Sequence, residues 1–248
     1  MKNIFRLVRK LSAGLLLASL LLLLFAGGFY GIKGYQMYRD AVNEKSLAER
    51  VEDVRGMEGF TPYSELPRFY IQATISVEDR RFWGHRGLDF IAIGRAAKRD
   101  LRAGAFEEGG STITQQLAKN MLFTKEKKME RKAAEVFAVA ALESEYTKEE
   151  IFELYVNMAD FGGGYHGIRQ AAKGYFEKEP SGLSDAESVL LAGVPNAPSA
   201  YSPDKNMKQA VRRAGQVLKS MVRDKVITQE EAKELAGDIS VKRTGHRT

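Results

Sequence analysis

The chain has 248 residues, 44% of them hydrophobic, and no cysteine, which excludes disulfides and thiolate metal sites. Its net charge of +6 suits an anionic membrane surface, a phosphorylated ligand or nucleic acid, but no nucleic-acid-binding signature accompanies it. Behind an N-terminal anchor about 215 residues remain, enough for one well-buried domain in one or two lobes.

Residues 1–10 carry Lys2, Arg6, Arg9 and Lys10, and residues 11–32 carry no charge and are rich in Leu. That length spans ~30 Å of hydrocarbon as a helix. The preceding basic residues predict a cytoplasmic N-terminus, with the rest outside. A cleaved signal peptide is the alternative, but the run is long for one and no clear small-x-small site follows. Residues 33–60 are polar and of mixed charge, and are expected to form a solvated juxtamembrane stalk, partly helical. Pro62 and Pro67 punctuate the entry to the main domain, residues 61–238.

Ile71, Ile75, Glu78 and Phe82 fall at helical spacing on one face. Glu78 therefore sits in an apolar stripe, where lost hydration raises a carboxyl pKa and makes a general base competent near neutrality. A plainer reading pairs it with Arg81 or another cation at a helix end. Gly84 to Gly87 break the helix, and residues 88–101 resume an apolar, basic pattern containing Arg95 and Lys98. Such a helix lies either on a bilayer surface or against the core.

Residues 107–110 form a flexible acidic loop that leads into Ser111-Thr112-Ile113-Thr114-Gln115-Gln116-Leu117-Ala118-Lys119. Thr112 and Gln115 have capping-box spacing, and a helix N-terminus favours an anion. Gln115, Gln116 and Lys119 share one polar side. A basic run, including Lys127 and Arg131, opens a helix in which Glu135 precedes Ala138, Val139 and Leu142 on an apolar stripe. Two acids in apolar surroundings, with cations and a helix N-terminus between them, suit acid/base work on a phosphate-bearing substrate.

Capping boxes at Thr147–Glu150, Ser184–Glu187 and Thr228–Glu231 open three further helices. Phe161 to Gly164 form a glycine-rich turn without phosphate-loop spacing. Gly167 to Phe176 reads as a helix, Pro195 to Pro203 as a rigid loop, and residues 239–248 as a basic tail. No alternating strand pattern occurs, so the expected fold is mostly α.

Taken together and in order, these motifs resemble the peptidoglycan glycosyltransferase domain (glycosyltransferase family 51), found alone or fused to penicillin-binding transpeptidases. The resemblance covers residues 67–203 and rests on five stretches: Glu78-Asp79-Arg80-Arg81-Phe82-Trp83-Gly84-His85-Arg86-Gly87, Gly109 to Asn120, Arg131 to Glu135, Ile151 to Asn157, and Leu191 to Ser199. No penicillin-binding serine motif follows, so the resemblance is to the monofunctional, membrane-anchored form. It implies a lysozyme-like bilobal α fold with a membrane-facing lobe, behind a single transmembrane helix. It implies polymerisation of lipid II into β-1,4-linked glycan with release of undecaprenyl diphosphate at a bacterial cytoplasmic membrane, and the growing glycan, the bilayer and cell-wall synthesis proteins as partners. By analogy Glu78 is the general base and Glu135 the second acid. Ser111, Gln115, Gln116, Lys119, Lys127 and Arg131 surround the donor's diphosphate and sugars, Arg95 lies on the acceptor side, and Asp79 is structural. Lys127 stands where many members carry Arg, which loses the planar fork. Phe90 and His166 also depart from the common pattern. The sequence offers no dedicated metal cluster, so Mg²⁺ is expected to bind through substrate phosphates. A hydrolase cutting finished glycan and a non-catalytic membrane scaffold are the rival readings. The first would not need cations gathered for a diphosphate, and the second would not need both acids.

Overall fold

The first helix, α1 (Lys2–Glu44), runs unbroken through the apolar segment and well past it. This computed structural model describes residues 2–103, 110–123 and 129–245. Among them every extended element is helical, beside one isolated antiparallel bridge between Asp160 and His166. The stretch Arg9–Glu44 is long and apolar enough to cross a membrane, and its leucines are exposed.

Residues 33–60 do not form a solvated stalk. The end of α1 packs on α6 (Met129–Glu145), which sets the anchor's position. Gly34 makes that close approach possible, because a Cβ there would stand 2.5 Å from the Ala133 methyl. Tyr35 and Tyr38 lie 5.2 and 6.3 Å from the Phe137 ring centroid. After a capping box at Ser46–Glu49, α2 (Leu47–Arg55) buries Leu47, Val51 and Val54 in the main core. Arg50 donates to the Ala41 and Met121 carbonyls at 2.9 and 3.2 Å, tying the anchor's end to the next layer.

After Pro67, α3 (Arg68–Glu78) ends at Glu78, four residues before Phe82. Asp79 leaves the helical region (φ −154°, ψ 72°), so Phe82 begins a separate single turn and is fully buried. Next come α4 (Phe90–Ala103), which leaves Phe90 and Ile91 exposed, and α5 (Ile113–Leu122), opened by the expected Thr112–Gln115 capping box. Beyond α6, α7 (Lys148–Met158) and α8 (Ile168–Phe176) lead to α9 (Asp185–Gly193). From Ala186 to Gly193 every residue of α9 is buried, the signature of a central helix. Both α3 and α11 (Pro203–Arg223) pack against it. The stretch between Pro195 and Pro203, expected as a rigid loop, contains a short helix, α10 (Pro198–Tyr201). The last helix, α12 (Gln229–Gly245), runs through most of the expected tail and buries Ile239.

Candidate active site

Glu78 closes the last turn of α3, and its side chain is only 6% exposed. Burial pushes its carboxyl pKa up, and two partners pull it back. Arg213 Nη2 of α11 donates to Oε1 at 3.0 Å, and Gln116 Nε2 of α5 donates to Oε2 at 3.0 Å. The C-terminal end of a helix, with its outward carbonyls, adds further resistance to ionisation. The plainer expectation, a glutamate paired with Arg81 or another cation, meets its cation in Arg213, which comes from a helix 135 residues away.

Arg213 is the residue sequence reasoning missed. Its Nε reaches the Gly193 carbonyl at 3.4 Å, its Nη1 donates to Gln216 at 3.0 Å, and its guanidinium lies 5.8 Å from the Tyr201 ring centroid. A Cβ on Gly193 would meet Arg213 Cγ at 2.8 Å, so glycine clears the path of the arginine stem. The available signal was position: Ala210, Arg213, Ala214 and Val217 share one helical stripe, which places a cation in an otherwise apolar row.

Asp79 anchors the motif around the acid. Its carboxylate accepts from the Ile113 N–H at 3.1 Å, at the start of α5, and bonds His85 Nε2 at 2.8 Å. Asp89 is held by Arg81 and accepts from the Ala92 N–H. Asp79, His85 and Asp89 offer ligand atoms within 4.8 Å of one another, a grouping not foreseen from sequence. It fits a divalent cation poorly: the aspartates are taken up by a guanidinium, an imidazole and two backbone amides. These residues lock the Glu78 loop onto α5 instead.

An open cleft of about 390 Å³ runs past Glu78 and is lined by Asp79, Arg80, Arg95, Ser111 and Arg223, among others. Arg95 is exposed on α4 and lines this cleft. Arg223 donates to the Ser76 carbonyl at 2.9 Å and to Asp224, bringing a second unforeseen cation to the wall. A hollow of about 420 Å³ between Met57 and His166 is slightly larger. Its Asn157 is committed to Thr61, and it holds no pair of acids, so the chemistry is assigned to the cleft at Glu78.

The second acid is tied to that cleft through Lys132 and Ser111. Glu135 is 1% exposed and is flanked by Arg131 (Nε to Oε1, 3.3 Å) and Lys132 (Nζ to Oε2, 2.8 Å). Lys132 also donates to Ser111 Oγ at 3.3 Å, which connects Glu135 to the cleft at Glu78. Lys132 lay in the basic run but was not singled out. Gln115 is buried, and its Oε1 accepts from the Thr112 N–H to complete the cap. Its oxygen is therefore spent on structure, whereas Gln116 reaches the acid. Lys119 is half-buried one turn further along α5 from Gln116. Lys127 and residues 107–109 of the expected acidic loop lie outside the described residues.

The sequence profile of the family described as Transglycosylase matches residues 44–222. Penicillin-binding protein 1A of Aquifex aeolicus is 42% identical over 175 residues, 71% of this chain and 24% of that protein. Penicillin-binding protein 1F of Bacillus subtilis is 46% identical over 150 residues, 59% of this chain and 21% of that protein. Penicillin-binding protein 1A of Vibrio cholerae is 42% identical over 167 residues, 67% and 20% respectively. The chain thus spans a fifth to a quarter of the length of these curated relatives. The segment matched by the profile contains both acids, Arg213 and every lining residue of the cleft except Arg223, and the chain belongs to the transglycosylase family, the peptidoglycan glycosyltransferases of family 51.

Proposed function

We propose that this chain polymerises lipid II, adding it to a growing glycan strand with Glu78 as general base. Glu78 removes the proton from the 4-hydroxyl of the incoming N-acetylglucosamine. The freed oxygen attacks the anomeric carbon of the strand's terminal N-acetylmuramic acid, the bond to undecaprenyl diphosphate breaks, and a β-1,4 linkage forms with inversion. A positioned base supplies roughly 10²–10⁴ in rate. Charge grows on the departing diphosphate, and fixed cations lower that barrier because they need not reorganise.

Lys119, Arg131 and Lys132 are the cations assigned to this task, with Ser111 and Gln116 orienting the donor, Glu135 fixing the two basic side chains beside it, and Arg95 and Arg223 on the acceptor side. Lys127 and Gln115 belong to the donor side by family resemblance. Mg²⁺ belongs with the substrate diphosphate, since hard oxygen ligands suit it and the aspartate–histidine group does not. The anchor is read as crossing a bacterial cytoplasmic membrane with its N-terminus inside and the cleft outside, where a lipid-linked substrate is found. Exposed Phe90 and Ile91 on α4 fit a lobe that dips into the bilayer surface.

The observation that carries the reading is a buried glutamate with a raised pKa, held by Arg213 and Gln116 at the wall of a cation-lined cleft. The test is gel analysis of labelled lipid II incubated with the full chain and with Glu78→Gln. Glycan ladders from the first and none from the second are expected. Cleavage of finished glycan without polymerisation would favour the hydrolase reading.

A further inference from the structure

Arg213 and Gln116 hold one side of Glu78, and the interior behind it is polar in an unusual way. Tyr70, Thr74 and Glu78 stand on successive turns of α3, spaced four residues apart, and so form one row. Tyr70 is fully buried and Thr74 is 1% exposed. Tyr155 of α7, also 1% exposed, comes close enough that its phenol feels the charge of Glu78 and the Tyr70 phenol. None of the three hydroxyls meets a protein partner in full hydrogen-bonding geometry, although the Tyr70 and Thr74 hydroxyls lie near enough to interact with each other. Folded proteins rarely tolerate such groups dry, and internal water commonly bridges them when several polar atoms converge. Three hydroxyls and a carboxylate give a bridging water the two to four partners it needs.

We propose that Tyr70, Thr74 and Tyr155 form, through internal water, a positioning set on the buried side of Glu78 that stabilises its ionised form. This rests on the reading of Glu78 as the base. Burial keeps both phenols protonated well beyond their ordinary range, so they act on a carboxylate as donors. Donors to the charged form favour ionisation. They oppose the desolvation that raises the Glu78 pKa, alongside Arg213 from α11 and Gln116 from α5, while neighbouring Asp79 works in the other direction. From α9 the inward groups are Ser188, whose buried hydroxyl also lacks a protein partner, and Glu187, which Lys178 pairs. The set keeps the base ionised at a pH where Glu78 among apolar neighbours would hold its proton.

The test compares the full chain with Tyr70→Phe, Thr74→Val, Tyr155→Phe and the double phenylalanine variant, all of which keep side-chain volume. Two readouts are taken: kcat/KM on lipid II against pH, and the titration of the Glu78 carboxyl by ¹³C NMR, assigned with Glu78→Gln. Loss of donors shifts ionisation to higher pH. The double variant is expected to lose about tenfold in kcat/KM on the acid limb, where a tenfold change is ~1.4 kcal/mol, while the alkaline plateau stays. The NMR titration should move the same way. Thr61→Val, which removes an unpartnered buried hydroxyl at the Asn157 anchor, should move neither. An unchanged titration with a raised melting temperature would mean dry, merely tolerated hydroxyls, and overturns the inference. Should the wild type fail to polymerise lipid II, the functional reading falls, yet the NMR titration still decides this one.

Discussion

Replacing Arg213 with Met tests the electrostatic account of Glu78 most directly. Met keeps an unbranched stem against Gly193 and Val217, so the change chiefly removes charge. The pair is well shielded, with side-chain exposures of 12% and 6%. Removing one partner of a buried pair typically costs ~3–5 kcal/mol. Here the cost has a ceiling, because Glu78 can take up a proton. At pH 7 that ceiling is about 3.7 kcal/mol, set by ~1.4 kcal/mol per unit from an ordinary glutamate pKa, and at pH 5 it is about 1 kcal/mol. The sign follows from linkage. The folded Glu78 pKa already lies above its unfolded value, so stability declines as pH rises from the ordinary glutamate range through the folded value. Loss of Arg213 raises the folded value further and widens that window, so variant and wild type converge in acid and diverge toward neutrality. At ~2–4 °C per kcal/mol for a domain of this size, the drop in Tm is at most about 7–15 °C at pH 7 and 2–4 °C at pH 5. Thermal melts of the full chain in detergent at the two pH values measure it. Polymerisation by the variant should fail at neutral pH and partly return in alkali. An equal Tm loss at both pH values would show that packing on Tyr201, not charge, is what Arg213 supplies, and the argument would be refuted.

Two other outcomes follow from the same geometry. Lys119→Ala should weaken binding of a diphosphate-lipid donor analogue by about 10–100-fold, the worth of a charge-assisted hydrogen bond, while leaving stability within ~0.5 kcal/mol, as titration calorimetry and melting would show. Gly34→Leu should destabilise the domain by ~1–3 kcal/mol, because its Cβ would stand 2.7 Å from the Ala133 backbone and force α1 off α6; a wild-type melting curve would count against the docked anchor.

Local features were legible because their causes are local. The capping boxes at Thr112, Thr147, Ser184 and Thr228 each form as the three-residue spacing predicts. The Ser46–Glu49 box and the Leu47, Val51, Val54 stripe were just as visible, and the charge around them hid a core helix behind the look of a stalk. Where α3 ends could not be read from periodicity. Phe82 continues the apolar stripe, but Asp79 turns the chain to satisfy the Ile113 amide, a tertiary demand from 34 residues away. For the same reason, apolar spacing showed that Glu78 was buried but not that Arg213 would meet it. Position within an amphipathic row marks a charge as inward, and only the packing of α3 and α11 on α9 shows which inward charge faces which.

The docking of α1 on α6 bears on how a membrane-bound polymerase could control its reaction. A flexible linker over residues 33–60 would let the domain wander by roughly 30 Å relative to its anchor. Instead the anchor's own helix continues onto α6, which carries Arg131, Lys132 and Glu135, and Arg50 ties the end of α1 to α5, which carries Gln116. If the apolar part of Arg9–Glu44 crosses the membrane as proposed, Arg131 and Lys132 are held at one height above the bilayer and one rotation about the anchor. A lipid-linked diphosphate is confined to a plane, so a site fixed at the height of that plane meets it without a conformational search. On the proposed mechanism, rigid attachment of this kind would turn membrane anchoring from a matter of local concentration into part of the alignment between Glu78 and the departing diphosphate.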